Sequence, residues 1–265
     1  MHLIEIMKIG EKILYNSNIK NSKYEAKLII LYVLNIKDHE LITNPHRIIT
    51  KQQLTKINKL LKKRAKKKPF AYLVNNKNFY DLNFFVNKDV LIPRFETEHI
   101  IEKILQRKNK NSHLKIIDLG TGSGAILATL LYHLPKAFGV GIDISYKALS
   151  VANKNINKYK LANRCLLING DWAKTIQNNY FDILICNPPY IMESHINNLD
   201  NDVKFYEPLI ALNGGKDGLE SFRNLLPSAR SCIKEGGTAY FEIGYDQSNN
   251  VQELIKKNKF QINNV

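Results

Sequence analysis

Apolar residues in the first 70 positions recur at the spacing of amphipathic helices. Residues 22–25 have the S-x-x-E form of a capping box, and the T-x-x-Q of residues 50–53 repeats the device. Apolar side chains follow each start at helical spacing, at Ala26, Ile29, Ile30, Val33 and Leu34, then at Leu54, Ile57, Leu60 and Leu61. We expect Pro69 to end the second helix. The pattern predicts a small N-terminal helical domain over residues 1–75.

The period of the apolar positions then shortens to that of strands. Phe79, Leu82, Phe84 and Val86 mark alternating apolar sites. We predict a β-hairpin within residues 71–92, which connects two domains as a linker over 76–92.

From about residue 113, short apolar runs alternate with amphipathic helical patterns. We predict strands at 115–119, 138–142, 164–168, 181–186 and 238–243, and helices at 125–134, at 146–159, after Asp217 and after Asp246. Such alternation is typical of a mostly parallel sheet covered on both faces. We therefore predict an α/β domain with a Rossmann-like sheet over residues 93–265. Pro227 should kink or break the helix after Asp217.

Composition narrows the class of protein. The chain has 265 residues, of which 44% are hydrophobic, and no apolar run is long enough to span a bilayer. Charged residues interrupt the first apolar stretch, so we expect a cytoplasmic globular protein without a signal peptide. Cys165, Cys186 and Cys232 are scattered and lack metal-ligand spacing. They favour reduced thiols over disulfides or a metal site.

The formal net charge of +15 invites a nucleic-acid interpretation. Lysine, asparagine and isoleucine are abundant throughout, so the charge reflects the composition of the whole chain more than one patch. The dense basic run at 62–68 is interpreted as a solvated helix C-terminus, where basic side chains are favourable. Direct nucleic-acid binding is therefore not required, and an RNA-associated partner remains compatible with the run.

A glycine-rich turn joins the first predicted strand of the sheet to its helix. Its sequence D-L-G-T-G-S-G supplies Asp118, Gly120, Thr121, Gly122, Ser123 and Gly124. Glycines let the backbone turn sharply and let a ligand approach closely. A dinucleotide fold uses a similar loop, but Asp118 would repel a pyrophosphate and suit a cationic amino-acid moiety. Asp143 ends the next strand, where it can accept both hydroxyls of a ribose. The pattern favours S-adenosylmethionine over NAD.

Gly170, Asp171 and Trp172 follow the third strand of the sheet, where an adenine would lie at the carboxyl ends of the strands. Trp172 can supply a flat contact and Asp171 a hydrogen bond. The alternative is that the single tryptophan of the chain fills the core.

The segment N-P-P-Y ends the fourth strand of the sheet, opposite the expected methyl donor. An amide or exocyclic amine is a poor nucleophile because its nitrogen lone pair is delocalised. The Asn187 oxygen and the Pro188 carbonyl can accept hydrogen bonds from such an NH2 group, and Pro189 adds rigidity. Tyr190 can stack on the planar substrate group. A tight turn alone leaves Asn187 and Tyr190 without a role.

N-P-P-Y serves both adenine-N6 and glutamine-N5 methyltransferases, and the remaining motifs distinguish them. Over nearly its whole length the chain resembles the peptide chain release factor N5-glutamine methyltransferase family (PrmC/HemK). The matching stretches are P-F-A-Y-L at 69–73, L-I-P-R-F-E-T-E at 91–98, D-L-G-T-G-S-G-A-I at 118–126, N-P-P-Y-I at 187–191, D-V-K-F-Y-E-P-L-I-A-L at 202–212, G-G-K-D-G-L at 214–219 and E-I-G-Y-D-Q at 242–247.

The resemblance implies a class I S-adenosylmethionine-dependent methyltransferase domain. The glycine loop, Asp143, Asp171 and Trp172 would bind the cofactor, with Asn187 beside it. Residues 187–190 would hold the glutamine of a Gly-Gly-Gln (GGQ) loop in class 1 release factors, with Glu207 near the substrate. The helical N-terminal domain would dock the factor.

The chain departs from the family in two places. Phe95 stands where P-R-P-E-T-E has its second proline. The chain stops at Val265, just after an incipient strand and before the D-x-x-G-x-x-R stretch that normally completes the sheet edge. We therefore expect a truncated C-terminal strand, as in a fragment or the front part of a longer fused chain.

Alternative functions stay open at this point. An adenine-N6 methyltransferase of DNA or RNA would need a target-recognition domain and a base-flipping pocket, and the N-terminal residues carry no recognisable nucleic-acid motif. A ribosomal-protein glutamine N5-methyltransferase is closer kin. A non-catalytic binding module with a decayed cofactor site is a different class, which the intact glycine loop, Asp143 and N-P-P-Y argue against.

Overall fold

The chain folds as two units in the computed structural model, which describes residues 1–108, 111–174, 176 and 178–265. The first unit contains Met1–Asn75 together with Asn201–Tyr206, a segment distant in sequence. The second unit contains Asn76–Asp200 and Glu207–Val265.

Helices build the first unit. They are α1 (Leu3–Asn16), α2 (Ser22–Leu34), α3 (Glu40–Thr43), α4 (Lys51–Ala65), α5 (Phe70–Val74) and α10 (Asn201–Tyr206). The helical period buries one face of α1, α2 and α4 around a shared core that includes Ile6, Leu14, Ile29, Ile30, Ile57 and Leu61. This is the predicted helical bundle, with one added helix from the middle of the chain.

The two predicted capping boxes have different outcomes. At α4, the Thr50 hydroxyl accepts from the Gln53 amide at 3.2 Å and the Gln53 side chain accepts from the Thr50 amide at 3.0 Å, as predicted. At α2 the prediction is wrong, because Asn21 is the N-cap and makes no side-chain capping bond. The Glu25 carboxylate instead binds Arg64 of α4, at 3.0 and 3.1 Å.

The predicted hairpin is present but shorter than residues 71–92. Strands β1 (Lys77–Phe79) and β2 (Leu82–Phe84) pair antiparallel, with Asn78 opposite Asn83. The preceding positions belong to α5, and α4 ends at Ala65, four residues before Pro69. Pro69 is therefore the N-cap of α5 and not the residue that ends α4.

A five-stranded sheet forms the centre of the second unit. Its strands are β3 (Lys115–Leu119), β4 (Phe138–Asp143), β5 (Cys165–Asn169), β6 (Phe181–Cys186) and β7 (Ile233–Phe241). The order is β5-β4-β3-β6-β7, and every neighbouring pair is parallel. The chain moves outward from β3 in one direction and then returns to begin β6 on the other side. The gap between the carboxyl ends of β3 and β6 is the crevice where such sheets bind ligands.

Helices surround this sheet. They are α6 (Glu98–Arg107), α7 (Ala125–His133), α8 (Tyr146–Lys158), α9 (Glu193–Ile196), α11 (Glu220–Cys232) and α12 (Ser248–Lys257). Successive residues of β3 belong to different cores, since Ile116 packs with the α6 and α7 side and Ile117 with the α11 side. Burial on both faces explains why the strands read as continuous apolar runs. The predicted α/β, Rossmann-like fold is confirmed.

Three local predictions in this unit have different outcomes. Helix α11 runs from Glu220 to Cys232 with Pro227 inside it, so the predicted break is wrong and the alternative of a kink stays a prediction. Pro227 removes the amide that would bond to the carbonyl of Arg223, but Arg223 is exposed and water can replace that bond. Strand β7 begins at residue 233, five positions before the predicted start, with a register shift opposite residues 181–183. Residues 261–265 form no strand. In the parts of the chain that the structure describes, no helix is long and apolar enough to cross a membrane.

Candidate active site

The glycine loop (residues 118–124) adopts a backbone that side chains disfavour. Gly120, Gly122 and Gly124 have φ angles of +75°, +56° and +74°, in the left-handed region that glycine tolerates. A Cβ on Gly124 would lie 3.2 Å from the Ala152 Cβ, so this glycine permits close packing on α8. A Cβ on Gly122 would meet only the Gly120 carbonyl oxygen, at 3.9 Å. Gly122 therefore leaves open space where a ligand can approach the backbone.

Hydrogen bonds from other segments hold the loop in place. The amides of Gly120 and Thr121 both donate to the Ile142 carbonyl of β4, at 2.8 and 2.9 Å. The buried Asn155 side chain of α8 donates to the Ser123 carbonyl at 2.8 Å and to the Phe85 carbonyl at 2.9 Å. Asn155 was not predicted as a site residue, because a polar residue within a helical pattern does not indicate what it contacts.

Asp118 lies beneath the loop and not on a pocket wall. It is 1% exposed, and its carboxylate accepts from the Thr121 hydroxyl at 2.7 Å. Burial, with a smaller contribution from the nearby Asp143 charge, raises the pKa of Asp118 to about 7, against the opposing Thr121 hydrogen bond. The expected direct contact with a cationic ligand group is not supported by this position.

Asp143, at the end of β4, carries a carboxylate that organises the backbone around it. One oxygen accepts from the Gly122 amide at 2.8 Å and the other from the Ser145 amide at 2.8 Å. Burial raises the pKa of Asp143, and these two hydrogen bonds oppose the shift. A carboxylate has about four acceptor positions, so two remain for the hydroxyl groups of a ligand.

A pocket of about 330 Å³ opens at the carboxyl ends of the sheet strands, within the range of small-molecule sites. Predicted residues that line it are Gly120, Gly122, Asp143, Asp171, Trp172, Asn187 and Pro189. Residues that sequence reasoning missed also line it, among them Asp89, Val90, Leu91, Ile210, Asn213, Glu220 and Asn224. The other predicted residues of the two motifs are not among those that line it: Thr121, Ser123, Gly124, Pro188 and Tyr190.

Trp172 lies where both of the roles considered for it are possible. It lines the pocket, and its ring also packs against the apolar core on the α11 side of the sheet. Its φ of +53° is uncommon for a bulky residue. The Asp171 carboxylate, on the pocket wall, pairs with Lys174.

The N-P-P-Y segment (residues 187–190) is held by two side chains remote in sequence. The Asn187 NH2 group donates to the Thr97 hydroxyl oxygen at 3.3 Å, and the Thr97 hydroxyl donates to Glu242 at 2.6 Å. The Tyr190 hydroxyl donates to the other Glu242 oxygen at 3.3 Å. Burial raises the pKa of Glu242 and raises that of Tyr190 to about 12, with the Glu242 charge adding to the Tyr190 shift.

The backbone of this segment is fixed from behind by Gln247 and by a glycine turn. Gln247 donates to the Tyr190 carbonyl at 3.0 Å and to the Gly218 carbonyl at 3.2 Å. A Cβ on Gly218 would lie 2.6 Å from the Tyr190 carbonyl oxygen, and one on Gly214 would lie 2.8 Å from the Tyr190 Cα. The G-G-K-D-G stretch is therefore the packing surface of N-P-P-Y.

Glu207 holds the turn over residues 92–98, which contains the P-R-F-E-T-E stretch, and is not among the residues that line the pocket. Its side chain is 1% exposed and accepts from the Ile92 amide at 3.1 Å and from Arg94 at 2.7 Å. Both carboxylate oxygens are engaged by this turn, which argues for a supporting role over direct substrate contact.

Comparisons with known proteins identify the family of the chain. Residues 5–74 match the PrmC N-terminal domain family, and residues 97–203 match the methyltransferase small domain family. The release factor glutamine methyltransferase of Caulobacter vibrioides is 37% identical over 243 residues, which cover 92% of this chain and 84% of that protein. The protein of the same name from Moorella thermoacetica is 34% identical over 250 residues, which cover 94% of this chain and 88% of that protein.

A third relative differs in length. The bifunctional methyltransferase of Rickettsia bellii is 32% identical over 278 residues, and the match covers 95% of this chain but 50% of that protein. This chain thus spans about half of the bifunctional relative. With the first two relatives matched over most of both lengths, the chain belongs to the release factor glutamine methyltransferase family.

Proposed function

We propose that this chain transfers a methyl group from S-adenosylmethionine to the side-chain amide nitrogen N5 of the glutamine in the GGQ loop of class 1 release factors. The observation that carries the proposal is the shared pocket. Gly122, Asp143 and Trp172, which suit the cofactor, line the same cavity as Asn187, which suits a carboxamide substrate.

The pocket residues fit the chemistry of S-adenosylmethionine. Gly122 leaves space for close backbone approach, and Asp143 retains acceptor positions for the ribose hydroxyls. Trp172 offers an aromatic face on the same wall. Asp118 acts on the site through Thr121 and through its charge. When bound, the cofactor supplies an electrophilic methyl group on a sulfonium sulfur.

The residues of the N-P-P-Y segment act on the nucleophile. The Asn187 oxygen and the Pro188 carbonyl accept hydrogen bonds from the glutamine NH2 group and hold its nitrogen lone pair towards the methyl group. Preorganised acceptors of this kind need no reorganisation when charge develops. Tyr190 packs on the planar amide, and Pro189 limits movement of the segment. Catalysis then consists mainly of positioning, since a methylated cationic amide loses a proton to water readily.

We also propose that the N-terminal helical domain, residues 1–75, recognises the body of the release factor. The observation in support is that all residues lining the pocket lie in the second unit. The first unit is then available for protein recognition. A cytoplasmic location goes with this proposal, because release factors act on ribosomes there.

The decisive experiment locates the transferred methyl group. The protein is incubated with isotopically labelled S-adenosylmethionine in three parallel reactions. One contains a class 1 release factor, one contains ribosomal proteins and one contains DNA. Mass spectrometry should place the label on the GGQ glutamine of the release factor. Label on a ribosomal-protein glutamine or on adenine would overturn the proposed substrate, and absence of label in every arm would overturn the proposed activity.

A further inference from the structure

We propose that Thr97 and Glu242 are positioning residues that fix the orientation of the Asn187 side-chain amide. This inference rests on the proposed function, because the proposed reaction needs the Asn187 oxygen, and not its NH2 group, to face the substrate. The two ends of a carboxamide have nearly the same shape, so packing alone selects poorly between them. Hydrogen-bond polarity is needed to choose.

The polarity originates at Glu242. An ionised carboxylate only accepts hydrogen bonds, so the single proton of the Thr97 hydroxyl must be donated to it, at 2.6 Å. The Thr97 oxygen is then left as an acceptor. Its neighbour Asn187 lies 3.3 Å away and must present NH2 to it. The Asn187 oxygen is thereby left for the pocket, which Asn187 lines.

Glu242 is itself well fixed. Its amide donates to the Cys186 carbonyl at the end of β6 at 3.0 Å, and its second carboxylate oxygen accepts from the Tyr190 hydroxyl at 3.3 Å. Thr97 is 3% exposed at the start of α6. The carboxylate therefore orients two members of the N-P-P-Y segment. It binds Tyr190 directly, and it acts on Asn187 both through Thr97 and through its own hydrogen bond with the Asn187 side chain, which opposes the rise in the pKa of Glu242. This gives a physical reason for the threonine and glutamate of the P-R-F-E-T-E and E-I-G-Y-D-Q stretches.

The kinetic test uses Thr97→Val and Thr97→Ser. Valine preserves the shape of threonine and removes the hydroxyl, whereas serine keeps the hydroxyl and removes a methyl group. We expect Thr97→Val to lower kcat for a GGQ-containing release factor about 10–100-fold, the range typical when an outer hydrogen-bond partner of a site is lost. Affinity for S-adenosylmethionine and KM for the factor should change little. Thr97→Ser should recover most of kcat.

A double-mutant cycle separates positioning from general packing. If Thr97 acts through Asn187, adding Thr97→Val to Asn187→Ala should lower the rate no further. Additive losses of rate in the double variant would overturn the inference. A loss of kcat that is explained by the lower thermal stability of the Thr97→Val variant would overturn it as well.

A measurement on the unaltered protein keeps the inference testable if the valine variant does not fold or the proposed substrate is wrong. In the NMR spectrum of the intact chain, the Asn187 NH2 protons should show nuclear Overhauser contacts to the Thr97 side chain. If the Thr97 side chain shows no such contact to the Asn187 NH2 protons, the Asn187 amide has the opposite orientation and the inference is wrong. This readout needs no substrate, so its failure is distinguishable from a failure of the proposed function.

Discussion

The two polar atoms of the Asn187 side chain have different proposed tasks, and substitutions can separate them. Asn187→Ala should lower the methyl-transfer rate about 10²–10³-fold, as for the loss of one preorganised hydrogen-bonding group, with S-adenosylmethionine affinity within a few-fold of normal. Asn187→Asp keeps an acceptor for the substrate but loses the NH2 group that donates to Thr97. We expect its single-turnover rate to lie between those of wild type and Asn187→Ala. Near-normal turnover by Asn187→Ala would leave N-P-P-Y with only a turn-forming role.

Asp118 predicts a pH dependence of stability. Its pKa is raised from 3.8 to about 7 in the folded chain, chiefly by burial. Between these values the folded state binds more protons than the unfolded state, so this group's contribution to the free energy of unfolding falls as pH rises. We expect Asp118→Asn, which keeps an acceptor for the Thr121 hydroxyl, to remove that component. At pH 8 the variant should be the more stable protein, by up to about 4 kcal/mol.

Urea unfolding of wild type and Asp118→Asn at pH 5 and pH 8, both without cofactor, measures the effect. The difference in free energy of unfolding between the two proteins should grow with pH. Parallel pH profiles would show that Asp118 does not change protonation in this range.

Individual site residues could be predicted where the neighbouring sequence indicates their role. Gly120, Gly122 and Asp143 were identified because a strand, a glycine turn and an acid at the end of the next strand occur within 29 residues, from Lys115 to Asp143, and imply one another. Thr97, Asn155 and Glu242 were missed, because each acts through a partner 32 to 145 residues away. Their residue types occur elsewhere in the chain, so only the fold identifies them. Glu207 was found by family resemblance, but its buried carboxylate supports Arg94.

At the scale of elements, the glycine turn behind N-P-P-Y offers a matched pair of substitutions. Gly218 and Gly236 both have φ of +74°, so alanine at either position meets the same backbone strain, about 1–2 kcal/mol. A Cβ at Gly218 would also lie 2.5 Å from the Gln247 side chain and 2.6 Å from the Tyr190 carbonyl, whereas one at Gly236 meets nothing within 4 Å. We expect Gly218→Ala to be the more destabilising and to lower methyl transfer, with Gly236→Ala nearly normal in activity.

Urea unfolding and steady-state turnover on a release factor measure both effects of this pair. Equal stability and equal activity of the two variants would mean that the turn at 214–218 does not support N-P-P-Y.

The accuracy of the element predictions follows how each element gains its stability. Strands β3 and β6 are buried on both faces, so their apolar runs have sharp ends and the predicted bounds match the structure. In strand β7, Ile233 is followed by Lys234, Glu235 and two glycines, a polar stretch that hides the pairing of this strand with β6. The hairpin was overextended because residues 85–92 alternate without pairing to another strand. The bounds of β7 and of the hairpin depend on which strand each segment pairs with, and a local sequence pattern does not contain that information.

At the scale of the whole molecule, the helical unit contains one segment that the chain supplies after N-P-P-Y. Helix α10 binds there through Asp202, whose carboxylate accepts from Arg64 at 2.6 Å, and through Tyr206, whose hydroxyl donates to the Lys66 carbonyl at 2.6 Å. Arg64 is buried and also binds Glu25. Sequence patterns placed all of the first unit before residue 76, because short polar helices such as α10 carry no signal of the surface they join.

The proposed role of the N-terminal domain in recognising the release factor can be tested by removing residues 1–75. A chain that begins at Asn76 keeps every residue that lines the pocket. We expect it to bind S-adenosylmethionine within a few-fold of wild type and to methylate a short GGQ peptide at a similar rate. Its kcat/KM for an intact release factor should fall at least tenfold, because contacts with the body of the factor are lost. Circular dichroism must first show that the shortened chain is folded.

Shortening the chain also leaves Asp202 without Arg64, and a full-length Arg64→Met variant controls for this second change. Breaking a fully buried ion pair costs about 3–5 kcal/mol of stability, and the cost should be smaller here because the Glu25 and Asp202 side chains are 20% and 30% exposed. The variant should still unfold at lower urea concentration. If recognition belongs to the N-terminal domain, folded Arg64→Met should retain more activity on the intact factor than the shortened chain. Equal losses in the two would assign the defect to the release of α10, and undiminished activity of the shortened chain on the intact factor would remove recognition from residues 1–75 altogether.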